Sequence, residues 1–288
     1  MSGAPVAPSS RAPRGVGRTM VRGAGELLIT LGVVVLLFVL YEVYVTDLFG
    51  ERKQAEATVA VDRVWAQAEA TATVVQPGSA QMVTDPRERV PQYDTTVGEG
   101  FAKLRIPMLG ADYVFTVVEG TDPDDLYIGP GHYPETQLPG EQGNFAVAGH
   151  RVSKGSPFND LGLLNSCDAI VVETRDDWFV YRVLPMAEEE ATWASTPRAR
   201  CAGVQVQTGA YAGAAGREIT LPTDYAQVLP IPTVLSTAVP PDAQRLITLT
   251  TCHPQFSDAE RMIIHGVLVA SYAKAPGFLP PELTETGR

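Results

Sequence analysis

The longest hydrophobic stretch of the chain covers residues 27–45, in which Glu42 is the one charged side chain. A helix needs about 20 predominantly apolar residues to cross the hydrocarbon core of a bilayer, and this stretch has nearly that length. Four arginines and no acidic residue precede it within residues 1–25. The pattern predicts a basic cytoplasmic tail over residues 1–26 and a transmembrane anchor over residues 27–46, with everything from Asp47 onward outside the membrane.

A cleavable signal peptide is the competing interpretation, because it also places an apolar segment after a basic one. The apolar stretch is longer than the h-region of about 7–15 residues that is usual in signal peptides. The segment 44–50, Tyr-Val-Thr-Asp-Leu-Phe-Gly, also lacks the small-x-small pattern of a cleavage site. We therefore expect an uncleaved, single-pass anchor in the cell membrane.

Residues 47–100 are expected to form an extracellular stalk or linker. Residues 51–75 are rich in Ala, Glu and Val with few breakers, which indicates a loose helix or stalk. Residues 76–100 carry Pro, Gly, Ser and Asp without a period, which is typical of a flexible spacer. The alternative is that part of this segment packs on the domain that follows.

From residue 101 the pattern changes to short β-type runs separated by turn residues. Seven such runs are visible, at 101–106, 113–118, 144–148, 169–174, 178–184, 245–251 and 262–271. They predict an all-β barrel or sandwich over residues 101–275, followed by a tail at 276–288. Short helices are predicted within 121–131 and around 156–164, where Pro157 suits a first helical turn. Residues 192–220 have no clear period and are expected to be a long surface insertion.

Three chemically active side chains stand at the ends of these runs. Cys252 closes one run, Arg261 opens the next, and His150 ends a third. If the runs of Cys252 and Arg261 are antiparallel neighbours joined by residues 253–260, the thiol and the guanidinium emerge at one end of the sheet. His150 can activate the thiol and then protonate a leaving amine, while Arg261 stays protonated and can stabilise an oxyanion. The three groups are what acyl transfer by a cysteine requires.

Alternation along the strands indicates which residues share the face of the thiol. Thr248 and Thr250 lie on the face of Cys252, and Ala148 lies on the face of His150. Small and polar side chains there leave room for an extended peptide. We expect this face to border a groove.

The composition narrows the choice of partners. The formal net charge is −11, and the acidic excess lies after the anchor. This charge argues against nucleic acid or anionic lipid as the partner of the exported part. Three cysteines leave at least one unpaired, and the sequence leaves open whether Cys167 and Cys201 form a disulfide.

The remaining histidines fit structural or supporting roles better than catalytic ones. His132 is interpreted as a turn residue, His253 as a supporting residue on the opposite face from Cys252, and His265 as structural. No metal site is expected, because Cys-x-x-Cys and His-x-x-x-His spacings are absent from the sequence. No cofactor is expected either.

The motifs resemble those of sortases, the membrane-anchored cysteine transpeptidases of Gram-positive bacteria. The strings Ala-Gly-His-Arg at 148–151 and Leu-Thr-Thr-Cys-His-Pro at 249–254, followed by Arg261, match the catalytic pattern of that family. The strings Gly-Pro-Gly-His-Tyr-Pro at 129–134 and Gly-Asn-Phe-Ala-Val-Ala at 143–148 are similar to the class E branch of actinobacteria.

The resemblance implies an eight-stranded β-barrel with one or two short helices and a defined reaction. Cys252, His150 and Arg261 would be catalytic, and Ala148, Thr248 and Thr250 would line the pockets for the sorting peptide. The enzyme would cleave a C-terminal Leu-Ala-x-Thr-Gly or Leu-Pro-x-Thr-Gly signal of a secreted protein between Thr and Gly. It would transfer the protein to an amine of a lipid-linked peptidoglycan precursor, with the Leu-Ala form expected to be preferred.

Two other functions remain compatible with an exported β-rich domain. An L,D-transpeptidase also uses Cys and His, but its Ser-x-Gly-Cys-x-Arg signature is absent around Cys252. A non-enzymatic module that binds the cell wall would explain the fold and the anchor, but not three reactive groups at three strand ends.

Overall fold

The computed structural model describes residues 16–41, 45–71, 95–196 and 198–286, which divide into two compact units between residues 45 and 46. The first unit is helix α1, Val16–Leu40. Its segment Gly17–Leu40 contains an 18-residue window with a mean hydropathy of 2.4 and is, among the described residues, the one helix long and apolar enough to cross a membrane. The helix begins before the predicted span, and an Arg22–Glu26 ion pair of 2.8 Å joins its first turns. Glu42 lies outside the described residues.

The second unit is built on a closed β-barrel. Its strands are β1 Gly100–Arg105, β2 Val114–Glu119, β3 Gly131–His132, β4 Gly143–Ala148, β5 Ala169–Glu173, β6 Asp177–Val183, β7 Arg217–Thr220, β8 Arg245–His253 and β9 Glu260–Ala273. They are hydrogen-bonded in the order β6-β5-β1-β2-β3-β4-β8-β9, and pairing of β6 with β9 closes the ring. Strand β7 pairs with β9 outside the ring. The eight-stranded barrel confirms the predicted fold class.

Alternate positions of the strands fill the barrel with apolar side chains. Phe145, Val147, Ile247, Leu249 and Ile264 are each at most 1% exposed and belong to one core cluster. Closure removes the sheet edges and gives nearly every strand one face inside the barrel. The intervening residues of β4 and β8, which carry the candidate chemistry, therefore face outward.

Helix α2, Thr46–Thr71, packs on the outside of this barrel. Val61 and Trp65 are buried at 3% and 8% exposure. Gln54 Nε2 donates to the backbone oxygens of Thr116 at 3.2 Å and Ile128 at 2.9 Å. The first part of the predicted stalk is thus a packed helix, which is the alternative that the sequence left open. Residues 72–94, with most of the predicted spacer, lie outside the described part of the chain.

The seven predicted strands are present, each within two residues of its predicted ends, and β3 and β7 are two further strands. Helix α3, Pro123–Leu126, confirms the short helix within 121–131. The helix predicted around 156–164 is wrong, because only Leu161–Leu163 forms a single 3-10 turn. Residues 153–156 adopt left-handed backbone conformations, and Phe158 N donates to His150 O at 2.9 Å, so the chain folds into a closed loop instead.

The segment 192–220 contains 3-10 turns and ends in β7. Cys167 and Cys201 form a disulfide with a Cα–Cα distance of 5.1 Å, which ties this segment to the barrel. Buried Trp193 and Val204 pack beside the disulfide. The pairing that the sequence left open is therefore present.

Candidate active site

The register of β8 and β9 places Cys252 directly opposite Arg261. The strands are antiparallel, so the two side chains leave the sheet on the same face. This arrangement confirms the expectation that the two runs are neighbouring antiparallel strands. Arg261 Nη1 donates to the backbone oxygens of Asp258 and Glu260, each at 3.0 Å, which ties the guanidinium to the base of the loop between the strands.

The end of β4 brings His150 to the same end of the sheet. Strand β4 is parallel to β8, with Ala148 paired to Thr250. Beyond this pair, Gly149 N donates to Thr250 O at 3.0 Å, and Thr251 Oγ1 donates to Gly149 O at 2.7 Å. His150 therefore follows a backbone segment that is fastened to β8 immediately before Cys252.

Arg151 adds a side-chain link between the two segments. Its Nη1 donates to Cys252 O at 3.2 Å and to His253 Nδ1 at 2.7 Å. The acceptor role of Nδ1 leaves the proton of a neutral His253 ring on Nε2, which lies 4.0 Å from Glu260 Oε2. Arg151 thus binds the backbone oxygen of Cys252 and the imidazole of the next residue, His253.

The environment of His150 favours its neutral form. Burial, and secondarily the charge of Lys154, lower its pKa from 6.5 to about 4. Its Nε2 is buried and has no hydrogen-bond partner within the described residues. The imidazole is therefore uncharged at neutral pH and retains a nitrogen able to accept a proton.

Cys252 is the free cysteine of the described residues, and it is partly exposed. Partial exposure is what a nucleophile that meets a substrate requires, whereas a structural cysteine is usually fully buried. The site therefore contains a free thiol, a neutral imidazole and a guanidinium at one end of the barrel.

The three predicted groove residues differ in their accessibility. Ala148 is 8% exposed and Thr250 is 5% exposed, and the Thr250 hydroxyl is 3.0 Å from Tyr133 Oη. Thr248 is fully buried, and its hydroxyl donates to Asn144 Oδ1 at 2.7 Å and lies 2.8 Å from His265 Nδ1. The prediction that Thr248 borders an open groove is not met in this structure.

A covering segment explains the burial of Thr248. The 3-10 turn Tyr225–Val228 crosses the outer face of β4 and β8, where Asn144 Nδ2 donates to Gln227 O at 3.2 Å and to Leu229 O at 3.0 Å. An open cleft of 420 Å³ lies at the edge of this cover and reaches Tyr133. It is lined by Tyr133, Pro134, Glu135, Thr136, Tyr225, Val228, Leu229, Pro230, Thr237 and Ala238.

His132 and His265 are both buried in the barrel wall, and His132 lies in strand β3 rather than in the turn that the sequence predicted. His132 is fully buried, with Nδ1 2.9 Å from Glu119 Oε2 and Nε2 3.1 Å from Gln137 O. His265 is also fully buried, and its Nε2 is 3.0 Å from Gln227 Oε1. Neither ring is on the exposed end of the sheet.

Sequence reasoning missed Arg151, Thr251 and Tyr133 as parts of the site. Arg151 stood beside His150 in the motif, but its contact with Cys252 depends on the parallel pairing of β4 and β8, which the sequence did not indicate. Thr251 points away from the thiol by alternation, yet it fastens Gly149. Within the described ranges, no group of three or more His, Cys, Asp or Glu side chains could hold a metal ion.

Comparison with known proteins identifies the family. The model of the sortase domain matches residues 104–269, and the chain therefore belongs to the sortase family. Sortase SrtE2 of Streptomyces coelicolor is 28% identical over 94% of this chain and 91% of its own length. Sortase SrtE1 of the same organism is 31% identical over 89% of this chain, which spans 59% of that relative's length. These relatives confirm the resemblance to class E.

A solved structure is also similar to this one. The SrtF sortase from Corynebacterium diphtheriae is 45% identical, with a TM-score of 0.61, over 71% of this chain and 100% of its own. The described barrel therefore has the fold of a known sortase.

Proposed function

We propose that the chain is a membrane-anchored cysteine transpeptidase in which Cys252 is the nucleophile, His150 the general base and acid, and Arg261 the oxyanion-stabilising residue. The observation that carries the proposal is the convergence of these residues. The β8–β9 register sets Cys252 opposite Arg261, and the Arg151 and Thr251 hydrogen bonds fasten the segment of His150 to the same strand end.

The first half-reaction forms a thioester. Cys252 Sγ attacks the threonyl carbonyl carbon of a sorting signal while His150 takes the thiol proton. Arg261 donates hydrogen bonds to the oxyanion of the tetrahedral intermediate. The C–N bond to glycine then breaks, and His150 returns the proton to the leaving amine.

The second half-reaction releases the product. An amine of a peptidoglycan precursor attacks the thioester carbon and forms a C–N bond, while His150 takes the amine proton. The C–S bond then breaks, and His150 gives that proton to the sulfur, which becomes the thiol again. A lipid-linked precursor would approach along the membrane in which α1 anchors the enzyme. The N-terminus would be cytoplasmic and the barrel extracellular, because the arginines precede the apolar span.

The substrates would be secreted proteins that carry a C-terminal Leu-Ala-x-Thr-Gly or Leu-Pro-x-Thr-Gly signal. The names of the Streptomyces relatives support class E, and the resemblance to class E is the reason for expecting the Leu-Ala form. Ala148 and Thr250 remain candidates for contact with the signal, since Thr250 is hydrogen-bonded to Tyr133 at the open cleft. Thr248 would contact substrate only if the covering turn moved.

Peptide cleavage tests the proposal. A soluble version should begin at residue 46, because α2 packs on the barrel. Quenched fluorescent peptides with the Leu-Ala and Leu-Pro signals are incubated with the wild type and with Cys252→Ala. We expect cleavage between Thr and Gly that is absent in the variant, and faster cleavage of the Leu-Ala peptide.

The other two cysteines provide the matched control. The double variant Cys167→Ser, Cys201→Ser removes the disulfide and keeps Cys252, so it should cleave at a temperature where it is folded. Cleavage by Cys252→Ala, or no cleavage of either peptide by folded wild type, would contradict the proposal. Hydrolysis of wall tetrapeptides would then favour an L,D-transpeptidase activity.

A further inference from the structure

The loop that follows His150 is closed at its base but has an unusual backbone. Phe158 N donates to His150 O at 2.9 Å, which joins the two ends of the loop. Inside it, Ser153, Lys154, Gly155 and Ser156 have φ values of 56°, 54°, 78° and 40°. Residues other than glycine adopt this left-handed conformation at a cost, and usually singly rather than in succession. Such a loop persists only when neighbouring structure holds it.

The start of α2 supplies that neighbouring structure. Asp47 Oδ1 accepts a hydrogen bond from Gly155 N at 3.0 Å. Gly50 is buried against the same backbone, and a Cβ there would lie 2.5 Å from Lys154 C and 2.8 Å from Gly155 N. A carboxylate and a close backbone contact from the first turns of α2 therefore hold the tip of the His150 loop.

We propose that Asp47 and Gly50 are positioning residues for His150, and that helix α2 thereby contributes to catalysis. This inference rests on the proposed function of His150. Asp47 and Gly50 act on the loop at Lys154 and Gly155, and the hydrogen bond between Phe158 and His150 passes the restraint to the imidazole. The contact also explains why α2 lies on the barrel from its first turn rather than serving as a free stalk.

The test uses the full-length chain in detergent and measures kcat and KM for signal peptide cleavage. Asp47→Ala is expected to lower kcat by about tenfold with KM nearly unchanged, because small misplacement of a catalytic group slows chemistry without removing substrate contacts. Asp47→Asn keeps an acceptor oxygen and should restore much of kcat. Glu51→Gln is the matched control, since it removes a carboxylate one turn on from an exposed position of the same helix.

Gly50→Ala tests the close contact separately. Alanine is the better helix former, so α2 alone would gain stability from this change. We expect a loss of kcat nonetheless, because the added methyl group meets the backbone of Lys154 and Gly155. Gly25→Ala, in the middle of α1 with open space around it, is the control and should change nothing.

Amide hydrogen exchange gives a readout that does not depend on activity. Exchange of residues 152–158 should be faster in Asp47→Ala than in wild type and Glu51→Gln. Unchanged exchange and kcat in Asp47→Ala, or equal losses in Asp47→Ala and Glu51→Gln, would overturn the inference. If wild type shows no Cys252-dependent cleavage, the proposed function fails, and the exchange measurement still decides whether α2 holds the loop.

Discussion

Arg261 is the residue proposed to stabilise negative charge opposite Cys252. The two residues form a cross-strand pair, and the guanidinium is held by the backbone oxygens of Asp258 and Glu260. We expect Arg261→Ala to lower kcat by about two to three orders of magnitude, as loss of one oxyanion donor typically does. Steady-state kinetics with a signal peptide measures the effect. Arg245→Ala, at the exposed opposite end of β8, should leave kcat unchanged, and an equal loss there would contradict the assignment.

The lowered pKa of His150 predicts an acid-tolerant reaction. Burial and Lys154 lower this pKa to about 4, so the imidazole stays neutral, and able to accept a proton, as the pH falls from 7 to 5. We expect kcat/KM to be nearly constant over that range and to reach half its value near pH 4. A pH profile of peptide cleavage on the acidic side tests this. Half-maximal activity near the ordinary histidine pKa of about 6.5 would show that His150 is not held as described.

At the level of single residues, alternation and spacing predicted where Cys252 and Arg261 would emerge, since the period of a strand fixes the face of each side chain. Alternation along β8 did not reveal that Thr248 is covered, because the covering turn Tyr225–Val228 comes from a distant part of the chain. Long-range packing of that kind leaves no local period. The catalytic roles themselves stay predictions.

The covered face of β4, β8 and β9 should make the stability of the barrel depend on pH. His265 is fully buried between Thr248 and Gln227, and burial lowers its pKa from 6.5 to about 3. Between pH 6.5 and 3, His265 is therefore protonated in the unfolded chain and neutral in the folded chain. The free energy of unfolding falls as the pH decreases through this window.

Replacement of His265 isolates this contribution. We expect His265→Gln to be less stable than wild type at pH 7, because it disturbs the contacts with Thr248 and Gln227. The difference in the free energy of unfolding should shrink by up to about 1.4 kcal/mol for each pH unit below 6.5. Urea unfolding at pH 7, 6, 5 and 4 measures it. A difference that stays constant with pH would contradict the lowered pKa.

Secondary-structure elements with a strong local sequence pattern were predictable. Elements that form only by pairing with a distant strand were not. The seven runs of alternating or apolar residues became strands. The two-residue strand β3 exists only through its pairing with β2 and β4, and β7 only through its pairing with β9. The predicted helix around 156–164 failed because Pro157 instead belongs to the closed loop whose tip is held by α2.

On the scale of the whole molecule, the disulfide between Cys167 and Cys201 joins positions 34 residues apart. Cross-links that close loops of this size stabilise a folded protein by about 3 to 4 kcal/mol in the chain-entropy account. We expect Cys167→Ser, Cys201→Ser to lower the free energy of unfolding by that amount in urea titrations. Wild type treated with a reductant should unfold at the same urea concentration as the variant. An unchanged midpoint in both would show that packing around Trp193 suffices without the bond.

The same disulfide leaves a single thiol that can be titrated. The sequence holds three cysteines, and pairing of two leaves Cys252 as the one sulfhydryl. Protein purified without reductant should therefore take up one equivalent of a maleimide dye per polypeptide, and none after Cys252→Ala. The dye would report the fraction of intact Cys252 thiol in a preparation without the use of a substrate.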